Sequence, residues 1–137
     1  MINMQGSYAL ILKLKKDSEI KVGSLGKIKF KKGFYCYIGS ALGKGGIEKR
    51  IGRYERLDKM KKGKIKWHID YLLINPNISI LSIFIFPSKR KIECKISKIF
   101  EKKADKSIKK FGSSDCKCNS HLHYFSSKKK LIDALNF

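Results

Sequence analysis

The sequence predicts an α+β fold, a small antiparallel or mixed β-sheet flanked by helices, in a single domain covering residues 1–137. Its patterning points there in two ways. Short apolar stretches with period-two alternation recur between glycines, as half-buried strands do, and later segments repeat apolar residues at helical spacing. No internal repeat or linker divides the chain. A chain of 137 residues is expected to bury roughly two thirds of its extended surface in one modest core.

The elements follow in order. SYALILKL, residues 7 to 14, is apolar on both faces for five residues, which predicts a central strand covered on both sides. EIKVGSLGKIKF, residues 19 to 30, predicts two short strands around Gly23-Ser24-Leu25-Gly26, with Ile28 and Phe30 facing one way and lysines the other. GFYCYIG, residues 33 to 39, alternates Phe34, Cys36 and Ile38 against Tyr35 and Tyr37. After the glycine loop SALGKGG comes a helix over about 46–58, with Ile47, Ile51 and Tyr54 at i, i+4 and i+7. A second helix carries KWHIDYLLI, residues 66 to 74, and stops at Asn75-Pro76. ISILSIFIF, residues 78 to 86, predicts a buried strand; nine residues fall far short of the roughly 20 that a membrane-spanning helix needs. A helix over about 90–103 places Ile92, Ile96, Ile99 and Phe100 on one face. The end is less regular: a polar loop KKFGSSDCKCNS, a short strand HLHYF and a last short helix KKKLIDALNF.

A formal charge of +21, from 32 basic and 11 acidic residues, attracts polyanions. Nucleic acid is the expected partner and an anionic membrane surface the alternative. The amino terminus has too short an apolar patch and no small-residue cleavage site for a secretory signal, so a cytoplasmic location is expected. Cys36, Cys94, Cys116 and Cys118 then serve as thiols, metal ligands or core packing rather than disulfides. Lysine is the default surface residue, and a lysine-rich surface also fits simple solvation or heat tolerance. Against that background, three of the four arginines, Arg50, Arg53 and Arg56, fall within seven residues. That is the planar side chain suited to bidentate phosphate contacts. P-loop chemistry is excluded, because the residue after Gly43-Lys44 is Gly45 rather than Ser or Thr.

Several residues carry candidate chemistry. Arg50 and Tyr54 share a helix face, and Arg50, Arg53 and Arg56 form a stripe; the spacing serves a phosphate clamp and a surface stripe beside a core tyrosine equally well. Glu93 is the only acid in SKRKIECKISK and sits at the rim of the apolar face, as a salt-bridge partner or a divalent-cation ligand. Cys116-Lys117-Cys118-Asn119-Ser120-His121 offers C-x-C-x-x-H, with His123, Cys94 or His68 as a fourth donor. Its spacing is not that of a standard zinc finger, and a polar loop packing the sheet is preferred to zinc or to a substrate-reading loop. Trp67 and His68 could stack on a base, although a lone Trp in a helix is more often core.

Gly6-Ser7-Tyr8, then Tyr37-Ile38-Gly39-Ser40-Ala41, then Arg50 with Tyr54, then Glu93 follow one another in an order that resembles the GIY-YIG nuclease superfamily. The resemblance covers residues 6 to about 103; HIDYLL and FGSSDCKCNSHL, in and before a C-terminal extension over about 104–137, resemble a small, mostly archaeal branch of it. Gly33-Phe34-Tyr35 is not the first motif, because a single residue between Tyr35 and Tyr37 leaves no room for a turn. The resemblance implies a small antiparallel sheet with flanking helices and a nuclease that hydrolyses DNA phosphodiesters with one Mg²⁺ or Mn²⁺, in repair or processing. It implies Glu93 as the metal ligand, Tyr8 with Tyr37 as water-positioning or base groups, Arg50 as charge stabiliser and Tyr54 as an orienting group. Gly39, Ser40, Lys44, Arg53, Arg56 and His68 are the expected nucleic-acid contacts. The chain departs from the family in three places. An extra hairpin lengthens the interval between Tyr8 and Tyr37 to 28 residues; Tyr54 stands where His is frequent; and a late Asn has no counterpart, leaving Ser113, Ser114 and Asp115 as candidates. A non-catalytic basic nucleic-acid-binding module is the alternative.

Overall fold

A computed structural model describes residues 4–113 and 118–136. β1 (Gly6–Leu14), β4 (Gly33–Ala41), β5 (Ile78–Pro87), β6 (Lys106–Ser107) and β7 (Leu122–Phe125) form a five-stranded sheet in the order β5-β1-β4-β7-β6, and every pairing is antiparallel. β2 (Ser18–Lys21) and β3 (Lys27–Phe30) form a separate hairpin around a short 3-10 turn at Gly23–Leu25. Four helices complete the fold: α1 (Gly46–Met60), α2 (His68–Leu73), α3 (Glu93–Lys103) and α4 (Lys128–Leu135). The protein is α+β as expected. No described helix is long and apolar enough to cross a membrane.

Period-two alternation splits the core into two layers. From β1, Tyr8, Leu10, Leu12 and Leu14 point to one face, where Tyr35 and Tyr37 of β4 meet α1, α2 and the hairpin residues Ile20, Val22 and Phe30. Ala9 and Ile11 point to the other face, with Cys36 and Ile38, beneath Ile96 and Phe100 of α3 and Leu131 of α4. Both faces of β1 are therefore covered, which is why its sequence is apolar from Tyr8 to Leu12.

β5 departs from expectation. It pairs with β1 alone and forms the sheet edge, and Leu81, Phe84 and Ile85 are exposed. Leu81 is the extra residue of a β-bulge, since Ile11 pairs with Ser82 and Leu12 with Ile80. The helical layers cover the middle of the sheet and leave this flank open. β6 is too short to leave a periodic signal, and α3 starts at Glu93 because Ile92 has left helical geometry (ψ 7°).

Beneath α3, His123 is fully buried between two serines. Ser97 Oγ donates to the Ser120 carbonyl at 2.6 Å, so His123 Nε2–H donates to Ser97 Oγ at 2.7 Å and Nδ1 accepts from Ser107 Oγ at 2.6 Å. Burial, with the nearby His121 adding to it, pushes the His123 pKa down to about 4. Its folded-state pKa lies below the unfolded value near 6.5, so the unfolded chain binds more protons between the two, and stability falls as pH drops through that window. The effect should be on the order of 2 kcal/mol. Chemical denaturation from pH 7.5 to 4 should show this acid loss, and His123→Gln should flatten it; an unchanged acid limb would show that another group titrates.

Candidate active site

Tyr8 and Gly39 face each other across the β1–β4 ladder. A Cβ on Gly39 would sit 2.6 Å from Tyr8 Cζ and collide with its hydroxyl, so the missing side chain is what lets the Tyr8 ring cross the neighbouring strand. Its Oη lies 2.6 Å from Tyr54 Oη, and Arg50 Nη1 reaches it at 3.4 Å while also donating to the Ser40 carbonyl at 3.2 Å. The Arg50 guanidinium rests 4.2 Å over the Trp67 ring. From the other side of the sheet, the first turn of α3 brings Glu93, whose side chain is 14% exposed and pairs with Lys91 at 3.4 Å. Tyr8, Tyr37, Arg50, Trp67, His68 and Glu93 all line one cavity of about 450 Å³.

Burial governs the phenols. It raises the Tyr8 pKa, and the hydrogen bond with Tyr54 and the charge of Arg50 only partly offset it. Burial likewise holds Tyr37 and Tyr54 well above the ordinary phenol value. All three are neutral phenols in the metal-free protein, where desolvation outweighs Arg50 at Tyr8, and this suits the water-positioning role expected of Tyr8 and Tyr37. Burial lowers the His68 pKa, and its Nδ1 accepts the Gly112 N–H at 2.9 Å, so neutral His68 carries its proton on Nε2.

The other expected residues are sorted by the same packing. Ser40 and Gly39 line the cavity, but Gly39 makes room for Tyr8 rather than for a ligand backbone. Tyr54 is buried on the inner face of α1 and touches Tyr8, so it positions that phenol and does not itself line the cavity. Arg53 is already engaged by a carboxylate. Its fork donates to the fully buried Asp70 carboxylate at 2.8 and 2.6 Å, and Asp70 also accepts the backbone N–H groups of Lys66 and Trp67 at the start of α2. Lys44 and Arg56 line a second hollow of about 200 Å³, which shares Arg50, Lys66 and Trp67 with the first. Trp67 is a platform for Arg50 and Arg53 rather than a free stacking surface.

Ser113 Oγ donates to the Phe111 carbonyl at 3.4 Å and is not on the cavity wall, so it does not replace the late Asn; Ser114 and Asp115 lie outside the described residues. So does Cys116. Among the described residues, Cys118 and His121 meet Cys94, and a Cys94–Cys118 disulfide corrects the expectation that the cysteines form none. Sequence reasoning missed Lys91 and Lys66 on the cavity wall, and Asp70, whose signal was its place as the third residue of HIDYLL, where a carboxylate reaches back to the N-cap backbone of a helix.

Residues 7–136 match the family described as a domain of unknown function, DUF123. The chain belongs to the DUF123 family. No curated protein and no solved structure matches it. The match runs from β1 to α4, so it takes in both the cavity and the Cys94–Cys118–His121 cluster of this DUF123 protein.

The Tyr8–Gly39 contact sets a stability test. Gly39→Ala should cost about 1–3 kcal/mol in denaturant unfolding through overpacking. Tyr8→Phe, which keeps the ring, should not relieve that cost, whereas Tyr8→Ala should make Gly39→Ala nearly neutral in a double-mutant cycle. Additive effects would show that the two sites do not touch.

Proposed function

We propose that this cavity is the active site of a divalent-metal-dependent endonuclease of the GIY-YIG type, hydrolysing DNA phosphodiesters in repair or processing. The observation that carries the proposal is convergence: Tyr8, Tyr37, Arg50 and Glu93, up to 85 residues apart in the chain, line one cavity of about 450 Å³. The five-stranded antiparallel sheet between helical layers supports the same family.

The donor set fits a hard cation. Mg²⁺ and Mn²⁺ are held by one or two carboxylates, with water and substrate phosphate oxygens filling the remaining positions, and Glu93 offers one carboxylate on the cavity wall. Bound there, the ion would supply Lewis-acid neutralisation of a phosphate oxygen. Lys91, which pairs with Glu93 at 3.4 Å, would yield that carboxylate to the cation and be released toward substrate phosphate.

The chain's own groups do the rest. Arg50 forms no ion pair among the described residues, so its guanidinium is available to the charge that builds on the phosphate. Arg50 can only donate to Tyr8 Oη, and either hydroxyl of the Tyr8–Tyr54 pair can donate to the other, so the two phenols and the guanidinium form one hydrogen-bonded group at the cavity wall. Tyr8, a neutral hydroxyl on the cavity wall, would orient a water or a phosphate oxygen. Lys44, Lys49, Arg56 and Lys66 around the adjoining hollow would track the nucleic-acid backbone.

A non-catalytic binding module is the second reading, favoured by the Lys91–Glu93 pair and the charge of +21. Cleavage of duplex, single-stranded, flapped and branched DNA in Mg²⁺ or Mn²⁺ separates the two. Wild-type protein should cut at least one substrate, and Glu93→Gln should abolish cutting while binding equally or more tightly at matched salt. Arg50→Ala should lose about a hundred- to thousandfold in rate. No cutting by wild-type protein on any substrate supports the binding module; equal cutting by Glu93→Gln removes Glu93 from the site.

A further inference from the structure

Across the sheet from Tyr8, three soft donors come together that no single stretch of sequence groups. Cys94 follows Glu93 in the first turn of α3, and Cys118 lies 24 residues later, just before β7. Their sulfurs are joined as a disulfide, with the Cα atoms 6.2 Å apart. His121 Nε2 approaches Cys94 Sγ at 3.9 Å, and the three ligand atoms lie within 4.8 Å of one another.

The orientation of the imidazole is the telling feature. His121 Nδ1 sits 3.1 Å from the Ile38 carbonyl, to which only an N–H can bond, so that nitrogen carries the proton and Nε2 presents its lone pair toward the sulfurs. A disulfide needs no such neighbour. A histidine whose one nitrogen donates to a backbone carbonyl while the other faces two cysteines has the arrangement that fixes a metal-ligating imidazole. The spacing agrees. Tetrahedral Zn²⁺ with bonds of roughly 2.3 Å to sulfur and 2.0–2.1 Å to nitrogen sets its sulfurs about 3.8 Å apart and each sulfur about 3.6 Å from the nitrogen. Two thiolates and one imidazole select Zn²⁺ over Mg²⁺ or Mn²⁺, which take oxygen.

We propose that the reduced chain binds one Zn²⁺ through Cys94 Sγ, Cys118 Sγ and His121 Nε2. Each thiol gives up its proton to solvent as its bond to zinc forms, and one position of the tetrahedron is left for water or a further donor. The disulfide form holds no thiolate, so it first takes up two electrons from an external dithiol or phosphine. Bound zinc ties the first turn of α3, which carries Glu93, to the segment leading into β7. The proposal stands apart from the nuclease reading, because it concerns a soft-metal site that binds whether or not the neighbouring cavity cuts DNA.

Cobalt alone is the probe. Metal-free protein reduced with a phosphine should, on anaerobic titration with Co²⁺, develop thiolate-to-cobalt charge transfer and the intense visible bands of a tetrahedral site. These should saturate at about one equivalent and bleach on adding Zn²⁺. Protein oxidised to the disulfide should show neither. Cys94→Ser, checked for folding by circular dichroism, should bind Zn²⁺ more than about a hundredfold more weakly, a larger loss than an outer-sphere partner causes. Cys36→Ala, in the core beneath α3, should leave the spectrum unchanged. A reduced wild-type protein without the tetrahedral spectrum overturns the proposal, independently of how any variant folds. Binding by Cys94→Ser equal to wild type overturns it too, since the metal would then sit on the C-terminal loop without α3.

Discussion

The placement of glycine opposite tyrosine at one rung of the central ladder is the constraint on which the candidate site depends. Tyr8 and Gly39 are paired in the β1–β4 register, and the space above Gly39 is occupied by the Tyr8 phenol. From there the hydroxyl meets Tyr54 and Arg50, both on the face of α1 turned to the sheet. A slip of one residue in register would send Tyr8 to the opposite face and leave the arginine without its contact. The same register is set by uninterrupted burial of β1 on both faces, so the hydrophobic core and the polar cavity are fixed by one pairing.

Charge is then distributed by what is buried. Asp70, fully buried, accepts four hydrogen bonds, two of them from Arg53, and so neutralises one of the two guanidiniums stacked on Trp67. Breaking a buried pair of this kind is strongly destabilising because a charge is left without a partner. Arg50, three residues earlier on the same helix, keeps its charge for the cavity. The neighbouring phenols contribute no negative charge near neutral pH, since burial raises all three pKa values. What remains is a cavity with three cations, Arg50, Lys66 and Lys91, one carboxylate, Glu93, and neutral hydroxyl donors, opening beside a hollow lined by Lys44, Lys49, Arg56 and Lys66.

Much of the fold was legible because period and burial agree. The alternation in GFYCYIG and the i, i+4, i+7 pattern of Ile47, Ile51 and Tyr54 gave β4 and α1 to within a few residues. The order of Tyr8, Tyr37, Arg50 and Glu93 identified four residues of one cavity wall. Three things were not legible. Apolar alternation in ISILSIFIF does not say whether a strand has neighbours on both sides, and β5 has only one. Spacing puts Arg50 and Arg53 on one stripe, but their roles are divided by Asp70, which comes from another helix. Cys94 and His121 are 27 residues apart and meet only because α3 packs over the segment before β7. Local composition therefore offered Cys94 only as one of three possible additions to a C-x-C-x-x-H loop, whereas folding brings it to Cys118 and His121.

The most direct measurement of the central claim is anomalous diffraction from crystals of the protein with a short DNA duplex and Mn²⁺. The account predicts a manganese peak bonded to a Glu93 carboxylate oxygen and sharing a phosphate oxygen with the DNA. That phosphate should lie within hydrogen-bonding distance of the Arg50 guanidinium, with the Tyr8 hydroxyl facing it. DNA held only by the lysines of the outer surface, with Glu93 still paired to Lys91 and no manganese in the cavity, would contradict it.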